Sequence, residues 1–393
     1  MPAFGSRTRI LALVGQNENG MLIDSSEGMG RFFTRMGYQH QVIDLLASGG
    51  LALLGKALKG GDIAFAYGFA GVGSQLLAGN DVNLWTALRL PFVAFWFDHP
   101  SYHYRQHIVS SPYILNCYHI RDHLEARQKY LPPGNAALSL PPTSPGHNPY
   151  ARATPWAARQ RKFFFAKTAY RPEAIAANWN KYPPLLRDML ASLAEQARSD
   201  RHLDLAAATA ASFGKIGRPL SDLDGFMGVI QEIDRYIRAW RSDRLARALM
   251  AYPVHIYGRG WDYLAGQSST AEIFPAFPAV DLWRRMTDYR LVANSSPLWR
   301  DGVHERVTMG IASGSVTLTD RSEKTDQLFG DLPNYVGFEW NDDDIKQAVA
   351  LAWDKAHDEA DYLDAGELRT TELGYNEANF MRPLEEALLT LGK

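Results

Sequence analysis

The chain has 393 residues, 41 basic against 43 acidic side chains, a formal net charge of -2 and a hydrophobic share of 46%. That length exceeds one comfortable core and implies two domains, while the near-neutral balance leaves no global drive towards nucleic acid or an anionic membrane. A single cysteine, Cys117, excludes an intrachain disulfide, and no stretch approaches the ~20 apolar residues of a membrane span, so a cytoplasmic protein in a reducing compartment is expected.

Up to residue 140, short apolar runs alternate with helix-length segments, the pattern of a parallel sheet with crossover helices. Strands are expected at 10–14, 40–43, 62–67, 92–97, 113–117 and 136–140, with helices near 26–36, 51–58, 83–88 and 120–130. Gly15, Gln16, Asn17, Glu18, Asn19 and Gly20 follow the first strand, with Ser25, Ser26, Gly28 and Gly30 beyond. No G-x-G-x-x-G stands at the dinucleotide offset, so a ligand-side loop and a plain turn both remain open. The fourth strand ends in Asp98 and His99, followed by His103 and His107, with His119 and His123 later. A metal reading takes the two HxxxH pairs as helical ligand faces, but it lacks the glutamate of H-E-x-x-H and a third ligand. The competing reading makes Asp98 and His99 acid/base or hydrogen-bonding groups at the mouth of a cleft, against a bland alternative of a strand-end carboxylate capping a turn.

From residue 141 a run rich in Pro, Ser and Gly reads as a linker. A strand at 162–166 follows, then Lys167, Tyr170 and Arg171, and then a segment from 172 to 250 that is helical by periodicity, its charges read as a solvated face. The strand pattern returns at 254–257 and runs into Gly258, Arg259, Gly260 and Trp261, where glycines bracketing an arginine permit close approach to a phosphate or form a simple turn. A helix at 279–287 leads to a strand at 289–293, the loop Asn294, Ser295, Ser296 and Pro297, a helix at 302–312 and a strand at 315–319. In a parallel sheet that unit sets the loop and the first helical amides together at a carboxyl edge, where an anion is favoured. A strand at 335–338, a helix at 342–357 and a last helix at 376–389 complete the chain.

The order YGRGW, YRLVANSS and DGVHERVTMGIASGSVTLTD resembles the C-terminal half of the CgeB-like glycosyltransferases, members of the GT-B class, and FWFDHP is similar to a feature of their N-terminal halves. The resemblance implies an α/β, GT-B-like fold, with two Rossmann-like domains facing a cleft and an additional helical segment in the second half. It divides the chain into an acceptor-side domain at 1–150, a nucleotide-sugar-binding domain at 151–375 and a helix at 376–393 crossing back. Gly258, Arg259 and Trp261 fall on the family's strand-end glycine motif, Asn294 and Ser295 on its polar loop, His304, Glu305 and Arg306 on its helix start, and Gly314 on its helix-terminal glycine. Met309 stands where many relatives carry a ribose-binding glutamate, and Glu305 lies one turn earlier.

Transfer from a nucleoside diphosphate develops charge on the leaving phosphate, which Arg259, Arg306 and the amides at 302–304 can meet without a metal or other cofactor. Asp98 or His99 would serve the acceptor, expected to be a protein or glycan and not a nucleic acid. Two rival readings are a GT-B nucleotide-sugar epimerase and a non-catalytic interaction protein with a degenerate donor site.

Overall fold

The computed structural model describes residues 4–5, 7–15, 20–140, 148–357, 362–374 and 376–392. The chain divides into two compact units, Met1–Pro145 with Tyr375–Lys393, and Gly146–Gly374. Part of the expected linker, 141–147, and Gln16 to Asn19 lie outside the described residues.

The first unit is a parallel sheet of β1 (Arg9–Val14), β2 (Gln39–Asp44), β3 (Ile63–Phe69), β4 (Phe92–Trp96), β5 (Ile114–Tyr118) and β6 (Ala136–Ser139), in the order β2-β1-β3-β4-β5-β6. β3, β4 and β5 are buried along their whole length, as strands covered by helices on both faces must be. Ser25, Ser26, Gly28 and Gly30 lie in a helix, Met21–Arg35, as the helix expected near 26–36 implies, and so do not form a ligand-side loop. A Cβ at Gly30 would lie 2.2 Å from the His40 ring, so this glycine serves helix-on-strand packing. At the other end of the chain, Glu377–Met381 forms a π-helical turn that continues into a helix at Arg382–Leu388. Phe380, Met381, Leu384 and Leu388 join Phe32, Phe65 and Phe95 in one core, which ties the terminus to the first unit.

The second unit contains β7 (Gln160–Ala166), β8 (Val254–Tyr257), β9 (Ala271–Phe274), β10 (Tyr289–Asn294), β11 (Val316–Asp320) and β12 (Tyr335–Phe338), all parallel, in the order β12-β11-β10-β7-β8-β9. Numbered from its own first strand, this is the 3-2-1-4-5-6 order of dinucleotide-binding sheets, and the chain reverses direction between β7 and β10. Ligands of such sheets sit outside the carboxyl ends at that reversal. The edge strand β9 was not expected, being four half-exposed residues without alternation.

Between β7 and β8 lie helices Pro172–Asn178, Pro184–Ser199, Leu205–Lys215 and Leu223–Leu249. The expectation of a solvated charged face fails on the last of these. Asp234 and Arg241 are only 5% and 3% exposed, because that face lies against the sheet's carboxyl edge. No helix among the described residues is long and apolar enough to cross a membrane.

Candidate functional site

Parallel pairing sets Ala166 beside Tyr257 and Asn294 beside Thr319. The residues that follow these strand ends, Lys167, Gly258 and Ser295, therefore share one edge with Asp320, the last residue of β11. Asn294 is fully buried and donates through Nδ2 to Ser296 Oγ (3.2 Å) and Thr319 Oγ1 (3.1 Å). Its Oδ1 accepts from Arg306 Nη1 at 3.3 Å, so one amide fixes the loop, the neighbouring strand and a cation. Lys167 Nζ donates to the Ser295 carbonyl at 2.5 Å, and Trp261 Nε1 donates to the Lys167 carbonyl at 2.6 Å. The loops after β7, β8 and β10 are thus joined at the reversal point.

The helix Glu305–Ala312 begins over this edge with His304 as its N-cap, where Nδ1 accepts from the Arg306 amide at 3.3 Å and lies 3.0 Å from Glu305 Oε2. One helix-start amide is therefore already satisfied by the chain itself. His304 is 7% exposed, and burial lowers its pKa to about 4 against the pull of Glu305. Burial raises Glu305, but His304 and Arg306 beside it outweigh that and hold the carboxyl well below its usual range.

Cations dominate the edge. Arg241 is paired with Asp320 (3.4 Å) and Arg238 with Asp234 (2.6 Å), while Lys167 shares the negative charge of Asp320 and of Glu305. Burial, then the positive charges of Arg306 and Arg238, drive Lys167 well below the usual ammonium range. An anion placed here would relieve that repulsion.

The expected site residues are distributed unevenly. Trp261, Asn294, Ser295, His304, Glu305 and Arg306 come together as described. Gly258 and Gly260 have φ of 145° and 84°, but their bare Cα atoms face backbone, since a Cβ would lie 2.0 Å from the Lys167 carbonyl and 2.5 Å from that of Ala169. Close approach to a neighbouring loop is what those glycines permit. Arg259 is exposed, with its carbonyl accepting from Ala169.

Gly314 ends the helix at its far terminus, with φ of 69° and its Cα packed under Leu363. The eight-residue helix is ~12 Å long. Gly314 therefore belongs to the opposite edge of the sheet, which Arg159 and Asn148 seal by bonding Ser313. Met309 packs in an apolar cluster with Phe164, Tyr257 and Val292.

In the first unit, Asp98 and His99 follow β4, and His99 Nδ1 caps the short turn Pro100–Tyr102 by accepting from the Ser101 amide at 3.1 Å. The metal reading of the histidine pairs is not supported. His107 stacks on Trp96 at 3.7 Å and bonds the Tyr118 hydroxyl at 2.6 Å, and no group of three or more His, Cys, Asp or Glu is gathered for a metal among the described residues. Cys117 is fully buried, and burial pushes its thiol pKa up, as an inert core residue requires.

Four residues at this edge escaped the sequence reading: Lys167, Arg238, Arg241 and Asp320. A signal for two existed, because Asp234, Arg238 and Arg241 recur at i, i+4 and i+7 on one helical face. A lysine following an apolar strand was visible too, but without knowledge of its neighbouring strand.

Two parallel six-stranded α/β units, each of Rossmann-like build, make the GT-B fold. Residues 238–385 match the family described as Glycosyl transferase-like, and with that match on this fold the protein is a glycosyl-transfer enzyme. Solved structures similar to the whole chain include an alpha-glucosyltransferase in complex with UDP-glucose and DNA containing an abasic site (11% identity, 96% of this chain and 99% of that one, TM-score 0.56). The T4 phage BGT in complex with UDP-glucose (9%, 97% and 99%, 0.52) and AviGT4, a glycosyltransferase involved in avilamycin A biosynthesis (11%, 97% and 97%, 0.50), are similar as well. No curated protein matches the sequence.

Proposed function

We propose that the protein is a metal-independent, CgeB-like glycosyltransferase that moves a sugar from a nucleoside-diphosphate donor to a protein or glycan acceptor. The observation that carries this reading is the gathering of two basic side chains at the chain reversal between β7 and β10, Lys167 on the Ser295 carbonyl and Arg306 on Asn294 Oδ1. As the glycosidic bond breaks, negative charge grows on the departing β-phosphate, and preorganised cations lower the barrier by meeting it there. Glu305, whose side chain is 44% exposed and ionised, is the group at this edge suited to a ribose hydroxyl. Asp98 and His99 are assigned to the acceptor, where a carboxylate or imidazole can take the proton that the attacking hydroxyl or amide loses.

UDP heads the panel of probes because the two glucosyltransferases named above hold UDP-glucose. Calorimetry with UDP, ADP, GDP and dTDP, with and without EDTA, is expected to show one nucleotide binding equally in both conditions. Lys167→Met and Arg306→Met should weaken that binding by about 10-fold or more while the fold persists. A folded parent that binds none of the four at millimolar concentration would overturn the donor site, and binding lost in EDTA would overturn metal independence.

A further inference from the structure

The helical insert between β7 and β8 sends Arg241 against the loop that follows β10. Arg241, 3% exposed, donates through Nη1 to the carbonyls of Pro297 (2.7 Å) and Ser296 (3.2 Å), and lies 3.4 Å from Asp320 Oδ2. Asp320, 4% exposed, accepts the Ser296 amide on Oδ1 (2.7 Å) and Trp340 Nε1 on Oδ2 (3.3 Å). The guanidinium also lies over the Trp340 ring at 5.2 Å. One residue on, Ser242 Oγ meets Ser295 Oγ at 3.2 Å. Residues 295–297, which carry the carbonyl holding Lys167, are therefore gripped from behind at every position by one helix and one carboxylate.

We propose that Arg241 and Asp320 are positioning residues for the donor, so that the helical insert is a working part of the donor site; this rests on the donor-site reading above. The pair is a poor investment for stability alone. Arg241 Nε is buried without a hydrogen-bond partner among the described residues, and apolar replacements of buried ion pairs are often neutral or stabilising. What the pair secures is the shape of the 295–297 loop, and through the Ser295 carbonyl the place of the Lys167 ammonium. A displacement of about 1 Å at such a group can cost on the order of 100-fold.

The test combines the double variant R241M/D320N, which removes both charges and strands neither, with Arg241→Lys. The amide of D320N can still accept from Ser296, so the double variant chiefly loses the grip on the Ser296 and Pro297 carbonyls. Melting temperature, affinity for UDP (or for whichever of ADP, GDP and dTDP the parent binds better) and steady-state kinetics are measured for both variants. The expected result is a melting temperature near the parent's, with affinity weakened about 10- to 100-fold and KM for the donor raised by a similar factor. A folded double variant with parental affinity overturns the role. Should the double variant not fold, Arg241→Lys decides: it keeps the buried charge but cannot span the two carbonyls and Asp320, so parental affinity in it also overturns the proposal. A parent that binds no nucleotide removes the donor reading itself, whereas a parent sensitive to Lys167→Met but not to the Arg241 variants removes only the positioning role.

Discussion

Gly258 couples a backbone angle to the place of a cation. Its φ of 145° is open to glycine, and the Lys167 carbonyl occupies the space a Cβ would need. Gly258→Ala is expected to destabilise the second unit by roughly 2 kcal/mol or more in urea titration, and to weaken nucleotide binding by moving Lys167. Arg259 is exposed beside it, and Arg259→Ala should change stability by no more than about 0.5 kcal/mol. In the first unit, Asp98→Asn or His99→Ala should lower kcat far more than donor affinity, because either group would act on the acceptor. Steady-state kinetics beside direct binding separates the two effects, and a variant that loses the donor yet keeps its rate at saturation refutes that assignment.

At the scale of elements, the terminal helix and the insert helix both work through their packing. Phe380 is fully buried, edge-on to Phe32 with ring centroids 5.6 Å apart, in a core that it and Met381, Leu384 and Leu388 share with residues before 141. Phe380→Ala should cost about 3–5 kcal/mol, read as a lower melting temperature of the first unit, and leave nucleotide binding in the second unit unchanged. A helix this far along the chain is then a folding requirement of the first unit. The insert helix shows the converse, with a polar stripe that looks solvated in one dimension and is buried once folded.

For the whole molecule, buried histidines in both units tie stability to pH, His40 and His304 among them. Burial lowers both His40, whose Nε2 lies 2.9 Å from the Tyr67 hydroxyl, and His304 to about 4. Because the folded pKa lies below the unfolded value of about 6.5, the unfolded chain binds more protons between these values. Stability is therefore full above pH 6.5 and falls as pH drops towards 4, by ~1.4 kcal/mol for each pH unit crossed per histidine. Denaturant unfolding at pH 7.5, 6, 5 and 4 checks this, and His304→Gln should flatten the second unit's share of the decline.

Much of the fold was legible in the sequence, since strand and helix periodicities depend on neighbours a few positions away. The runs that became β1, β3, β4, β8, β10 and β12 read correctly to within two residues, and the loop from Asn294 fell at a strand end, as its polarity required. The helix expected at 302–312 starts at Glu305 because His304 caps it, a local fact that dihedral geometry shows and residue type does not. Gly314 was drawn into the site by a motif, although eight helical residues carry it to the far edge of the sheet. What the sequence by itself determined was the alternation of elements and the chemistry available at their ends, because both are local properties of the chain. Only the tertiary structure decided that β7 lies beside β10, which brings Lys167 to Ser295 across 128 positions and Arg241 to Pro297 across 56. Those meetings depend on strand order and burial, which sum over the whole unit and leave no mark at any one position.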